Sequence, residues 1–283
     1  MAQLEPLRGI RLVSLAINLP GPLAAARLRA LGAAVTKIEP PTGDPVRAVA
    51  PTWYEELVAG QRVLTLDLKN GDDRATADKE LAGADLLITA MRPSALAGLG
   101  LDDLAAVHPR LSHVEIVGHD GAAAEQPGHD LTYQAAFGTL QPPTMPTVPV
   151  ADTLGAERAV SAALIALRIA AISGKGHHER VVLEHAAADA GAAVRHGLMG
   201  QGAPLGGAHP GYGIYASADG HVAFAALEPH FWSRACAGLG VEGSREELEQ
   251  VFLTRSTSEW ERLALRLDIP LTGIRNPLQG VTR

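Results

Sequence analysis

The sequence predicts an α/β fold: an open, mostly parallel Rossmann-like sheet with helices on both faces, plus a small α+β domain. Three observations predict it. Short apolar runs alternate with helical stretches from residue 10 to residue 117. The strand-helix-strand spacing implies parallel pairing, because parallel neighbours need a crossover between them. A glycine-rich connector at 200–213 then separates this alternation from a hairpin and several helices. The expected domains are therefore 1–200 and 201–283.

Residues 10–16 read as a buried strand, and Leu19-Pro20-Gly21-Pro22 turns the chain into a helix over 23–31, with proline where an early helical turn tolerates it. Gly32 ends that helix. Residues 35–39 form the next strand, stopped by Pro40-Pro41. The pattern repeats with a strand at 63–68, a helix at 72–81, a strand at 85–89, a short helix at 102–107 and a strand at 111–117. The longest helix is expected over 153–172, with apolar positions dense enough to require burial on most faces. A strand at 179–183 and a helix at 186–199 close the first domain. In the second, residues 212–217 and 221–226 flank Ala218-Asp219-Gly220, and Asp-Gly favours the turns that hairpins need. Helices over 229–239, 245–252 and 258–267 follow.

Composition narrows the function. A net charge of −7 without an acidic block or a Lys/Arg stripe argues against a nucleic-acid partner. The first turn offers Pro-Gly-Pro where a dinucleotide site needs Gly-x-Gly-x-x-Gly, and no Gly-Lys-Ser/Thr follows a strand, which sets aside nicotinamide and nucleotide-hydrolysis readings. The single cysteine, Cys236, cannot form an internal disulfide. No secretory signal pattern begins the chain and no apolar run is long enough to span a membrane, so a cytoplasmic location is expected. His177 and His178 are adjacent rather than at helical ligand spacing, and no metal is expected.

The chemistry is expected between residues 127 and 157, in Pro-Gly-His-Asp-Leu-Thr-Tyr-Gln-Ala, a proline-rich break, and Ala-Asp-Thr-Leu-Gly-Ala-Glu. His129 and Asp130 sit on one short element, and Asp152 sits at the mouth of the next. The plain reading of Asp152 is a helix N-cap. The functional reading uses the same place, beside amide donors that stabilise an anion. Glu228, in Ala-Leu-Glu-Pro-His-Phe-Trp, is either a helix-start carboxylate or a group that orients a histidine. Lys37, Arg62 and Arg92 lie near strand ends, where α/β sheets hold ligands.

These segments together resemble the class III CoA-transferase family, the L-carnitine dehydratase and bile-acid-inducible F group that includes the α-methylacyl-CoA racemases. The marks are Leu19-Pro20-Gly21-Pro22, Leu31-Gly32-Ala33 through Lys37-Ile38-Glu39-Pro40-Pro41, Gly43-Asp44-Pro45-Val46-Arg47, Leu66-Asp67-Leu68-Lys69, Ala84-Asp85-Leu86-Leu87, Arg92-Pro93 and His108-Pro109-Arg110-Leu111. The resemblance implies an acyl-CoA substrate whose CoA lies against the first domain, with Leu19, Gly21, Lys37, Arg62 and Arg92 as contacts. It implies no cofactor beyond that CoA moiety, and it implies an interlocked homodimer.

In the racemases the residues matching His129 and Asp152 are two bases flanking the substrate α-carbon, and the residue matching Glu228 supports the histidine. In the transferases the aspartate instead attacks the thioester. Formyl-CoA transferases carry tyrosine at the place of His129, so the resemblance favours 2-methylacyl-CoA racemisation, with Asp130 as a helper. CoA transfer through an aspartyl intermediate is the alternative. A third reading is a non-catalytic acyl-CoA binder, motivated by Pro40, where relatives carry arginine, and by a chain that stops soon after Ile269-Pro270-Leu271. Racemases also carry asparagine where this chain has Val148.

Overall fold

The computed structural model describes residues 4–275 and divides the chain into two compact units, Met1–Ala192 and Ala193–Arg283. The first unit runs β1 (Arg11–Ser14), α1 (Pro20–Ala30), β2 (Ala34–Glu39), α2 (Pro45–Val49), α3 (Pro51–Val58), β3 (Arg62–Thr65), α4 (Gly71–Ala82), β4 (Leu86–Thr89), α5 (Pro93–Gly98), α6 (Leu104–Val107), β5 (Ser112–Val117), α7 (Asp130–Ala136), α8 (Val150–Ser173), β6 (His178–Val182) and α9 (Leu183–Ala190). The unit break falls within α10 (Ala192–Arg195).

The six strands form one sheet in the order β3-β2-β1-β4-β5-β6. Every pairing in it is parallel. The chain builds outward from β1 to β3, then returns to the other side of β1 at β4. Between the carboxyl ends of β1 and β4 this reversal leaves a crevice, the place where open α/β sheets bind ligands.

Two layers cover the sheet. On one face α1 and α8 close a core containing Leu12, Leu28, Leu86, Ile88, Val114, Ile116 and the buried alanines of α8. Those alanines, with Gly155, form the inward stripe of α8, and their small size lets the helix sit close against sheet and neighbour. The sequence led us to expect α8 to be buried on most faces. Its outer face instead leaves Leu164 41%, Ile165 50% and Ile172 70% exposed, because only the alanine stripe meets the sheet.

Gly21 has a specific reason to be glycine. It lies in the first turn of α1, and a Cβ there would collide with the Ala16 side chain. On the other face Val13, Leu15, Ile38, Leu81, Leu87 and Leu96 form a second core layer.

Helices α2, α3 and α5 were not among the expected elements. Each begins with a proline in its first turn, where the missing N–H costs nothing. Asp44 caps α2 by accepting from the Val46 N–H at 3.0 Å. The helix expected at 186–199 is cut at Gly191, where α9 ends. There a side chain would strike the Phe137 carbonyl.

In the second unit β7 (Tyr212–Ala216) and β8 (His221–Ala225) form the expected hairpin, and β9 (Leu271–Gly273) adds antiparallel to β8. Against this sheet pack α11 (Pro229–Leu239), α12 (Arg245–Phe252) and α13 (Thr257–Leu267), around Tyr215, Phe224, Phe252 and Trp260. Ser244 with Glu247 and Ser256 with Glu259 form reciprocal capping boxes that start α12 and α13. No helix among the described residues is long and apolar enough to cross a membrane.

Candidate active site

A cavity of about 310 Å³ opens at the crevice between β1 and β4. Its walls come from the segments following three strands: Ile17 and Asn18 after β1, Ala90 to Arg92 after β4, and Gly118 after β5. The strap Pro127-Gly128-His129, the α7 residue Tyr133 and the α8 residue Asp152 complete it. His129 and Asp152, 23 residues apart in sequence, therefore share one cavity.

The local fold explains how Asp152 is presented. The N-cap of α8 is Pro149, which has no side chain able to cap. Asp130 takes that role from another helix: its Oδ1 accepts from the Ala151 N–H at 2.7 Å and the Asp152 N–H at 3.1 Å. Gln134 fastens the arrangement, donating to Asp130 Oδ2 at 2.5 Å and to the Val148 carbonyl at 3.0 Å. Orphan amides at a helix start need an acceptor, and here a carboxylate outside the helix supplies it.

Asp152 is thereby released from capping. It sits in the first turn of α8, and its carboxylate accepts no hydrogen bond from the described residues. Burial, helped by the nearby charge of Asp130, pushes its carboxyl up to about 7. A carboxylate tuned to that range exchanges a proton readily near neutral pH.

His129 occupies the N-cap position of α7. Its backbone is fixed by Thr132, whose Oγ1 accepts from the His129 N–H at 3.0 Å and donates to the His129 carbonyl at 2.7 Å. The ring is exposed toward the cavity mouth.

A second, smaller cavity of about 240 Å³ adjoins the first and shares Ile17, Ala90 and Met91 with it. It is largely apolar and runs over Pro40, Pro41 and Leu66 to Lys69, at the carboxyl ends of β2 and β3. The two adjoining cavities make up a trough at the carboxyl ends of the strands.

The CoA-transferase family III model matches residues 7–282. The chain belongs to this family. A succinate–glutarate CoA-transferase of Agrobacterium fabrum is 32% identical over 83% of this chain and 67% of its own length. An α-methylacyl-CoA racemase of Mus musculus is 27% identical over 90% of this chain and 74% of its own. The crystal structure of a CaiB/BaiF family protein from Brucella suis superposes with a TM-score of 0.81 at 25% identity, covering 97% of this chain and 85% of that one. Other curated relatives are spanned less fully, to 48% and 62% of their lengths.

The structure redistributes several expected roles. Asp130, expected to help in catalysis and to position α7, instead holds the start of α8, and all its partners are the chain's own groups. Lys37, expected to meet CoA, is 1% exposed. Its ammonium is bound to Asp44 at 2.6 Å and the Ala16 carbonyl at 3.2 Å, with Glu39 at 3.6 Å. This is an internal ion pair between β2 and the α2 cap.

Arg62 opens β3, so it stands at the amino end of the sheet, opposite the trough, and is paired with Glu80. Gly21 is a packing glycine, and Leu19 leans on the cluster of Val46, Tyr54 and Leu57. Arg92 lines the cavity as expected of a ligand contact. Glu228 belongs to the second unit, exposed at the start of α11 with its carboxylate making no cap bond. Met145 is 67% exposed and Phe137 packs against the main core, so neither lines this cavity.

Sequence reasoning passed over two neighbours of the site. Tyr133, four residues after His129, lines the cavity. Behind it, His119 Nδ1 meets Glu184 Oε2 at 2.7 Å. The unread signal for Tyr133 is an aromatic one helical turn after His129, with glycines at 118 and 128. Among the described residues no group of His, Cys, Asp and Glu could hold a metal ion. His177 and His178 pair instead with Glu179 and Glu115.

Proposed function

We propose that this protein is an acyl-CoA enzyme that moves the α-proton of a 2-substituted acyl-CoA and inverts that carbon. Asp152 and His129 are its two acid/base groups. The observation carrying this reading is an uncapped carboxylate, held near neutral by burial, in the same cavity as a histidine. One group takes the α-proton, breaking the C–H bond and leaving an enolate. The other, already protonated, returns a proton to the opposite face. Each turnover exchanges the protonation states of the two groups, so the reverse reaction starts from the product form.

The trough supports an extended thioester ligand. The acyl end lies in the larger cavity, and the pantetheine arm crosses Ile17, Ala90 and Met91 toward the apolar floor at Pro40, Pro41 and Leu68. Arg92 is the cation available at the cavity wall for an anionic part of the ligand. No cofactor beyond the CoA moiety is called for by proton transfer. The working assembly is a homodimer, which mass measurement in solution checks.

The racemase reading is tested by incubating the (R) form of a 2-methylacyl-CoA with the protein, hydrolysing the thioester and separating the acids on a chiral phase. Approach to an equal mixture, lost in Asp152→Asn and His129→Ala, is expected. Retention of pure (R) acid sinks it.

A second reading is favoured by the transferase relative at 32% identity. There the unbonded Asp152 oxygen attacks the thioester carbon and the CoA thiolate leaves. The thiolate then attacks the aspartyl carbonyl of the resulting mixed anhydride, releasing the free acid. CoA exchange that requires an added carboxylate, without inversion, identifies this reaction.

A further inference from the structure

We propose that Tyr133 is the hydrogen-bond donor to the thioester carbonyl oxygen of the bound acyl-CoA, where negative charge gathers as the substrate reacts. This rests on the acyl-CoA reading above and adds to it the group that holds the oxygen. Tyr133 is 2% exposed, yet it lines the cavity alongside Asp152 and His129. Its hydroxyl makes no hydrogen bond to any described residue. Among the described residues the fully buried side-chain atoms left without a partner are Arg27 Nη1, Glu39 Oε2 and Gln61 Oε1, not the Tyr133 hydroxyl, so that hydroxyl reaches the cavity with its donor free for a ligand.

The surroundings are shaped around that oxygen. A Cβ on either Gly118 or Gly128 would strike the phenol oxygen. Neither glycine has a positive φ, so backbone conformation does not demand glycine at these two positions; space for the hydroxyl does. Gly118 follows β5 and Gly128 lies in the strap before His129, and both line the same cavity. The ring is steadied from behind by His119, which packs edge-on at a centroid distance of 5.2 Å and 76°. Glu184 holds His119 at 2.7 Å.

The phenol is also suited to donating rather than ionising. Burial and the charges of Asp152 and Glu184 push it up to about 12, so the O–H keeps its proton across the working range. A preorganised donor aimed at an oxygen that gains charge is worth about 10²–10³ in rate. No other hydroxyl-bearing side chain lines the cavity.

The test uses the full-length protein and three forms: parent, Tyr133→Phe and Asp152→Asn. Tyr133→Phe keeps the ring and its packing, and an unchanged melting curve establishes that it folds. In isotope-edited infrared spectra of a 2-methylacyl-CoA labelled with 13C at the thioester carbonyl, the bound carbonyl band is expected at lower frequency in the parent and in Asp152→Asn. In Tyr133→Phe it should return to the position of the free ligand. In turnover, Tyr133→Phe should lower kcat by about 100-fold or more with KM changed less than about threefold.

A carbonyl band that stays shifted in Tyr133→Phe overturns the assignment, as does an unchanged kcat. The spectrum needs no turnover, which separates this proposal from the racemase reading. If the parent moves CoA between acids without inverting the α-carbon, the racemase reading fails. The infrared shift and the loss of transfer rate in Tyr133→Phe would still hold, because the thioester oxygen also gains charge during acyl transfer.

Discussion

Replacing Asp152 with asparagine removes a carboxylate that burial holds well above its ordinary range, and the variant should therefore be more stable than the parent at high pH. The carboxyl rises from 3.8 to about 7, a displacement of 7 − 3.8, or about three pH units. At about 1.36 kcal/mol per unit this is about 4 kcal/mol, an upper bound that water at the cavity mouth reduces to about 2 kcal/mol. The sign follows from proton binding. Below about pH 4 the group is protonated in both folded and unfolded chains, and its contribution is fully present. Between about pH 4 and pH 7 the unfolded chain ionises while the folded one keeps its proton, so stability falls; above about 7 the deficit is constant. Urea unfolding of the parent and Asp152→Asn at pH 5, 6, 7 and 8 is the assay. The stability advantage of the variant should widen by about 1–3 kcal/mol from pH 5 to pH 8. An advantage independent of pH over that interval would refute a buried, elevated carboxyl.

Asp130→Asn removes a charge that raises Asp152 and weakens two amide contacts at the start of α8. Its pH–rate profile should move to lower pH, with stability reduced by about 1 kcal/mol; a profile unmoved along the pH axis contradicts the coupling. Gly21→Ala should destabilise the first unit by about 1–3 kcal/mol, through the clash with Ala16, as read from the thermal midpoint. Lys37→Met leaves buried Asp44 and Glu39 without their ammonium. The expected loss is about 3–5 kcal/mol of stability, measured by denaturant titration. Arg62→Ala, by contrast, should leave acyl-CoA affinity in calorimetry within about twofold, since its partner Glu80 lies at the amino end of the sheet.

The sheet was legible because its strands are short apolar runs with unambiguous interruptions. β1, β2, β4 and β5 lie within a residue or two of their expected bounds. The hairpin of the small domain was legible through its Asp-Gly turn, whereas the caps Ser244 and Ser256 went unread. Helices α2, α3 and α5 were not read from the sequence, and Pro45, Pro51 and Pro93, each in a first helical turn, are the local signals that mark their starts.

At the site, sequence pointed to the stretch containing His129 and Asp152 but could not separate the two carboxylates. Which aspartate caps α8 depends on a contact between residues 130 and 151 that no local pattern encodes. Lys37 shows the converse. Its place near a strand end suggested a ligand contact, and only the packing of Asp44 and Ala16 around its ammonium shows that it is committed inside. Tyr133 was hidden by looking like an ordinary core aromatic, and what reveals it is the hydroxyl, unbonded among the described residues, between two glycines.

The central claim is that Asp152 and His129 move a proton at the substrate α-carbon, and hydrogen isotope exchange tests it most directly. The protein is incubated with a 2-methylacyl-CoA in deuterated water without any carboxylate acceptor, and mass spectrometry follows the α-position. One deuterium should enter per molecule at the α-carbon, with the rate falling by about 100-fold or more in Asp152→Asn. Substrate recovered without deuterium, alongside CoA exchange once a carboxylic acid is added, would contradict the claim and assign Asp152 to nucleophilic transfer.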